Sequence, residues 1–323
     1  MNILVLGGSQ FVGRHIVLAA LAAGHRVSTF TRGRTPDELP AEVERLHGDR
    51  GGDLTALEGR RWDACVDVSG YLPRAVRLSA EVLVNSVQRY LFISTVSVYA
   101  DFGAQPITED SALIELADPD SEDIAAHYGG LKVLCERAVQ DLYGERATIV
   151  RPDIVAGPYD PTGRYTYWPL RLARGGAVLA PGDGLDLAQY VDARDLADFS
   201  LDLLARDQGG VYNAVGAAFS WRDFLGHVAR GVGVTPDLHW TEVGVLEAHG
   251  LGWTELPLYV PRAGGQGGLM NVAPERAWAA GLRQRDPAET ARDVLAWAQG
   301  QGHTLRAGQL SPEREAEALA VGR

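Results

Sequence analysis

Residues 2–23 limit the folds open to this chain more than any other stretch. Asn2-Ile3-Leu4-Val5-Leu6 is an apolar run of strand length, and Gly7-Gly8 ends it. A run without polar alternation reads as a strand buried on both faces. Helical periodicity follows over Phe11–Ala23, with Ile16, Val17, Ala20 and Leu21 on one side and Gly24 as a cap. The turn between them, Gly7-Gly8-Ser9-Gln10-Phe11-Val12-Gly13, lies in the setting that a phosphate-cradling turn requires. Gly7 permits the tight turn and Gly13 permits close helix–strand packing. The helix N-terminus offers N–H groups and partial positive charge to a pyrophosphate. Ser9, Gln10, Phe11 and Val12 complete the candidate dinucleotide loop.

The alternation continues. Strands are predicted at 26–31, 45–47, 63–68, 90–94 and 147–150, with helices over 74–85 and 125–143. Strands alternating with helices imply an α/β chain with a Rossmann-type, doubly wound parallel sheet. After Arg151-Pro152 the pattern loosens. Strands are predicted at 189–191 and 211–215, near 238–241 and near 269–272, and helices over 195–205 and near 221–230. Asp286-Pro287-Ala288-Glu289 is a capping box with Pro at the first helical position, and it opens a helix reaching Ala298. Ser311-Pro312-Glu313 starts a final helix. The expected division is a dinucleotide-binding domain of residues 1–164 plus about 187–215, and a smaller C-terminal substrate lobe of about 165–186 plus 216–323. Residues 101–124 hold eight acids and no Lys or Arg, which reads as a solvated connecting loop or, alternatively, a mobile lid.

The formal charge of −12 argues against nucleic acid as a partner unless a local basic patch overrides the net field. No apolar run approaches the ~18 residues of a membrane span. Cys65 and Cys135 cannot make a disulfide framework, and together with the absence of a leader pattern at Met1 they predict a reduced, cytoplasmic protein. The eight histidines sit at no metal-ligand spacing, so no metal is expected. Among 30 Lys and Arg residues Lys132 is the single lysine. A compact ammonium is called for where a planar guanidinium cannot substitute.

Tyr128 and Lys132 are four apart on the helix predicted over 125–143, so they share a face. The ammonium can lower the phenol's pKa and make Tyr128 an acid/base. Thr95 follows a strand end, where ligands gather in open parallel sheets. Its hydroxyl could hold a substrate oxygen beside Tyr128. Phe30-Thr31-Arg32-Gly33-Arg34 closes the second strand with two arginines and no acid. Arg pairs with a 2′-phosphate, so NADP is preferred over NAD, unless Arg32 and Arg34 are merely exposed loop cations. Asp49 either accepts from an adenine amino group or caps a turn, and Ser69, after the fourth strand, joins the cofactor set. Arg151 and Arg194 could neutralise an anionic small-molecule substrate, or pair with Asp192 or Asp195. Tyr165, Tyr167, Trp168 and Trp253 either line a substrate pocket or pack.

Several motifs together carry a family resemblance over about residues 1–215. They are the opening turn, Asp63-Ala64-Cys65-Val66-Asp67, Phe92-Ile93-Ser94-Thr95-Val96-Ser97-Val98-Tyr99, Tyr128-Gly129-Gly130-Leu131-Lys132, Arg151-Pro152 through Gly157-Pro158, and Tyr190-Val191-Asp192-Ala193-Arg194-Asp195. The chain resembles the extended short-chain dehydrogenases/reductases of the NAD-dependent epimerase/dehydratase group. The resemblance implies a Rossmann fold with a small C-terminal substrate domain. It implies Thr95, Tyr128 and Lys132 as the catalytic set, with Lys132 also touching the nicotinamide ribose. It also implies a homodimer pairing the helices at 74–85 and 125–143. Three departures stand out. Gln10 replaces a family glycine, and its Cβ should restrict approach to the pyrophosphate. Thr95-Val96-Ser97 lacks the acids of the sugar-nucleotide dehydratases, which disfavours dehydration. Ile154 stands where many sugar-nucleotide epimerases carry Asn, which favours simple oxidation or reduction over epimerisation. The opening is also similar to a divergent branch of chloroplast stem-loop RNA-binding proteins. The leading expectation is an NAD(P)-dependent oxidoreductase or epimerase. The alternative is a cofactor-binding regulator or RNA-associated protein on the same fold, without turnover.

Overall fold

The computed structural model describes residues 1–103 and 105–321. In chain order the first half runs β1 (Asn2–Leu6), α1 (Phe11–Ala22), β2 (Arg26–Thr31), β3 (Glu44–His47), β4 (Trp62–Asp67), α2 (Pro73–Leu83), β5 (Val87–Ile93), α3 (Ile124–Tyr143) and β6 (Ala147–Pro152). The second half runs β7 (Val155–Ala156), α4 (Tyr167–Ala173), β8 (Ala177–Pro181), β9 (Leu187–Ala188), β10 (Val191–Asp192), α5 (Ala193–Ala205), β11 (Gly210–Ala214), β12 (Phe219–Ser220), α6 (Trp221–Val232), β13 (Asp237–Thr241), α7 (Val243–Ala248), α8 (Glu275–Ala279), α9 (Pro287–Gly300) and α10 (Pro312–Val321).

Seven strands form one sheet in the order β11-β6-β5-β4-β1-β2-β3. Every pairing in it is parallel. The side-chain period of two divides β1 between two cores. Ile3 and Val5 join Ile16, Val17 and Ala20 of α1 and Leu196 of α5, whereas Leu4 and Leu6 join Val76 and Ala80 of α2 and Cys135 and Val139 of α3. Both faces are therefore covered, which explains the unbroken apolar run. Strand order reverses between β1 and β4, and that switch point opens a crevice at the C-terminal ends of the strands.

A third buried cluster gathers Tyr165, Trp168, Trp221, Phe224, Leu256, Leu258 and Leu310. Ala277 and Leu282 do not join it. They pack with the α1/α5 side of the sheet, so the segment expected in the lobe is partly shared with the sheet core. Two other expectations change. The strand expected near 269–272 is a single 3-10 turn over Gly267–Met270, with only Val272 bridging to Ile107. The acidic segment after Asp101 is not simply a solvated loop. Ala100 N donates to Ala112 O, Ile114 N donates to Val98 O, and the Glu109 carboxylate accepts from Asn213 N at 2.8 Å. Among the described residues no helix is long and apolar enough to cross a membrane.

Candidate active site

The β1–α1 turn is built on close approach. A Cβ on Gly13 would lie 2.7 Å from the Gly8 Cα and N, so only glycine lets α1 seat against the turn. Gly7 has φ +107, and a Cβ there would meet Val68 Cγ2 at 2.7 Å. Gln10 needs no glycine conformation in this turn. Its backbone is extended (φ −132, ψ 152), which any residue adopts, and its side chain is exposed and does not cap α1. The left-handed conformation falls instead on Phe11, at φ +32. The first turn of α1 therefore carries no side-chain cap over its N–H groups, and the glycine cradle beside it would be filled by any Cβ. Both features fit a dinucleotide pyrophosphate.

Arg32 and Arg34 are exposed just beyond β2. Asp49 takes the turn-capping role, since its Oδ1 accepts from Gly51 N at 2.8 Å. Ser69 is fastened within the fold. Its hydroxyl donates to Leu6 O at 3.0 Å and accepts from Arg50 at 3.3 Å.

Thr95 lies two residues past β5 and caps the 3-10 turn Val96–Val98, with Oγ1 accepting from Ser97 N at 3.1 Å. Helix α3 is kinked at His127 (φ −127, ψ 23), so its regular part begins at Tyr128. His127 itself is exposed. Gly129 sets how closely α3 meets the Thr95 turn, because a Cβ there would stand 2.1 Å from Ser97 O. Lys132 follows one turn after Tyr128 and is only 3 % exposed. Its ammonium donates to Gly70 O at 2.8 Å and Ile93 O at 2.7 Å, and lies 4.1 Å from the centre of the Phe92 ring. Burial pulls its pKa down to about 8. The expected lowering of the Tyr128 phenol does not prevail in this arrangement. Burial pushes that phenol up, Tyr71 adds to the rise, and the Thr95 hydroxyl pulls against it. Lys132 is turned onto two carbonyls rather than the phenol.

One network was not anticipated from the sequence. Arg50 grips Asp67 with two nitrogens at 2.7 Å each and donates to Ser79 Oγ at 2.8 Å. Asp67 also accepts from Tyr90 Oη at 2.8 Å and Ser69 N at 3.1 Å. Asp67 is fully buried at the end of β4. It fixes the turn carrying Gly70, whose carbonyl receives Lys132. The apolar run before Asp67 hid it in the sequence as a strand terminus, and Arg50 was one arginine among many.

The structure reassigns four candidate substrate residues. Arg151 is buried in an ion pair with Glu136 (2.9 and 2.6 Å) and also donates to Tyr99 Oη at 3.0 Å. Its charge is met inside the protein. Tyr167 and Trp168 are packed in the lobe core, and Trp168 Nε1 donates to Pro257 O at 2.7 Å. Arg194 pairs with Asp192, an alternative left open by the sequence, and also with Asp293. Of the aromatic candidates, Tyr165 also packs in that core, while Trp253 is exposed. Ile154, in the position of the family Asn, is buried in the same cluster.

Residues 73–215 match the model of the NAD dependent epimerase/dehydratase family. The chain is 26% identical over 256 residues to the chloroplast stem-loop binding protein of 41 kDa b from Arabidopsis thaliana, a match spanning 73% of this chain and 64% of that protein. It is 29% identical over 250 residues to 2′-dehydrokanamycin reductase from Streptomyces kanamyceticus, covering 72% of this chain and 67% of the reductase. Its fold is similar to that of UDP-glucose 4-epimerase from Bifidobacterium longum, solved in complex with NAD+ and UDP. That match has a TM-score of 0.66 at 17% identity and covers 94% of this chain and all of the other. By the model match over residues 73–215 and by fold, the chain is similar to proteins of the NAD dependent epimerase/dehydratase family.

Proposed function

We propose that this protein is an NAD(P)-dependent oxidoreductase of the extended short-chain type, acting on a small carbonyl or alcohol, with NADP preferred. The observation that carries the reading is the Tyr128–Lys132 pair on α3, seated by Gly129 against Thr95 at the sheet's C-terminal edge. A bound nicotinamide would supply or accept the hydride. Thr95 Oγ1 would hold the substrate oxygen, and Tyr128 Oη would donate the proton to it in reduction or remove it in oxidation. Lys132 would reach the cofactor ribose by exchanging one of its carbonyl partners for a ribose hydroxyl. Arg32 and Arg34 would receive a 2′-phosphate. Simple reduction or oxidation is preferred to epimerisation because Ile154 offers no amide to a nucleotide-sugar.

The test is cofactor consumption at the nicotinamide absorbance with a panel of small ketones and aldehydes. Wild type should turn over at least one of them, and Tyr128→Phe should lower that rate at least a hundredfold while leaving NADPH binding intact. Equal rates in the two proteins would refute the assignment of Tyr128.

The name of the Arabidopsis relative favours a second reading, an RNA-associated protein without turnover. RNA binding that weakens steeply with salt would mark it, and the charge of −12 opposes it.

A further inference from the structure

Tyr71 lies in the link between β4 and α2 and is 47 % exposed. The backbone on either side of it is held. Gly70 before it is buried, and a Cβ there would meet Phe92 Cε2 at 2.5 Å and Val76 Cγ2 at 2.7 Å. Leu72 after it is the N-cap residue of α2, and Pro73 opens the helix with its φ fixed by the ring. With the chain fastened at both ends, the part of the link that can turn is the Tyr71 side chain itself.

The ring stands beside Lys132. Lys132 Nζ lies 5.7 Å from the centre of the Tyr71 ring and 4.1 Å from the centre of the Phe92 ring. Its two carbonyl partners are the chain neighbours of those rings, Gly70 before Tyr71 and Ile93 after Phe92. The two rings are not equivalent. Phe92 is fully buried in the core shared with α2 and α3, whereas Tyr71 is at the surface. Phe92 thus closes the ammonium in from the core, and Tyr71 from the solvent side. Attraction between a cation and a ring fades beyond about 6 Å, so Phe92 supplies most of it and Tyr71 little. Tyr71 acts by covering: Lys132 is only 3 % exposed although the ring beside it is half-exposed.

We propose that Tyr71 is the gate to Lys132: its ring covers the ammonium and turns aside before a ligand hydroxyl can reach Nζ. The backbone stays in place during that movement, because the same link carries the Gly70 carbonyl to which Lys132 is bonded. Tyr71 is a positioning residue in this account. Its hydroxyl has no part, so Phe serves as well as Tyr. That the arriving ligand is a nicotinamide ribose rests on the oxidoreductase reading above; the gate itself does not.

Lys132 is the single lysine, so its side chain and the Met1 terminus are the only primary amines of the chain. The experiment is reductive methylation with formaldehyde and cyanoborohydride of wild type, Tyr71→Phe and Tyr71→Ala, read by peptide mass spectrometry with Met1 as internal reference. The pH profile separates access, read in the limiting rate, from ionisation, read in the midpoint. The limiting rate at Lys132 should rise at least tenfold in Tyr71→Ala and stay near wild type in Tyr71→Phe. The midpoint should move up in Tyr71→Ala, as water reaches the ammonium. Saturating NADPH should slow the Tyr71→Ala reaction at least tenfold, the ribose taking the place of the ring. Equal limiting rates in wild type and Tyr71→Ala overturn the proposal. So does a Tyr71→Ala rate that climbs steeply in dilute urea, because it reports global unfolding rather than a local opening. If access depends on Tyr71 but NADPH neither binds nor protects, the oxidoreductase reading fails and the gate stands. If NADPH binds while access ignores Tyr71, the gate fails and that reading stands.

Discussion

Gly129 of α3 faces the carbonyl of Ser97 so closely that a Cβ would lie 2.1 Å from the oxygen. This contact fixes the height of Tyr128 over Thr95. Gly129→Ala must push helix and turn apart, an overpacking cost of about 1–3 kcal/mol. The better helix propensity of Ala returns at most about 1 kcal/mol. Gly226, in α6, has open space around its missing Cβ. Urea unfolding should therefore show Gly226→Ala more stable than wild type and Gly129→Ala less stable. Equal behaviour of the two variants would mean that the α3 contact is not tight.

Lys132 supplies a pH dependence with a definite sign. Its folded pKa of about 8 lies below the ordinary lysine value of 10.5. The unfolded chain thus binds more protons between those values, and stability rises with pH across that window. Below pH 8 the full cost of burying the ammonium is present. Comparing pH 7.5 with pH 9.5, wild type should gain about 2 kcal/mol relative to Lys132→Met, which has no such group to titrate. A pH-independent difference between the two would show that the ammonium is not desolvated.

The Arg50–Asp67 pair is nearly solvent-free. Removing one charge of a buried pair costs about 3–5 kcal/mol, whereas replacing both with apolar groups can be close to neutral. Asp67→Asn should lower unfolding stability on that scale, and Arg50→Met/Asp67→Leu should recover much of it. Because Asp67 holds Ser69 N, the single variant should also disturb the Gly70 carbonyl that receives Lys132. If the double variant is as unstable as the single, the network acts through its hydrogen bonds to Ser69, Ser79 and Tyr90 rather than through paired charge.

Arg32 and Arg34 test cofactor choice. Replacing both with Ala should weaken NADPH at least tenfold and leave NADH within about twofold, since a charge-assisted pair to the 2′-phosphate is worth roughly 1.5–3 kcal/mol. Parallel losses for both cofactors would remove the two arginines from phosphate recognition.

Much of the sheet was legible because its strands are buried on both faces and its helices are amphipathic. β2 ends at Thr31 and α3 at Tyr143, as periodicity predicts. The lobe was not legible in the same way. α4, Tyr167–Ala173, is buried nearly all round and shows no polar face, and β8 is flanked by Gly175, Gly176 and Gly182 in left-handed turns. At the candidate site, local spacing brought out Tyr128, Lys132 and Thr95. Asp67 and Arg50 depend on contacts between segments apart in sequence, which no spacing encodes. Arg151 misled for the same reason, because its partner Glu136 lies on a different element.

The account stands most directly on dinucleotide binding at the β1–α1 turn with Lys132 in contact. It predicts saturable enhancement of NADPH fluorescence by wild type, tighter than for NADH, and at least tenfold weaker in Lys132→Met. Absence of saturable binding of either cofactor would contradict it and would mean that the turn carrying Gln10 and Phe11 does not accept a pyrophosphate.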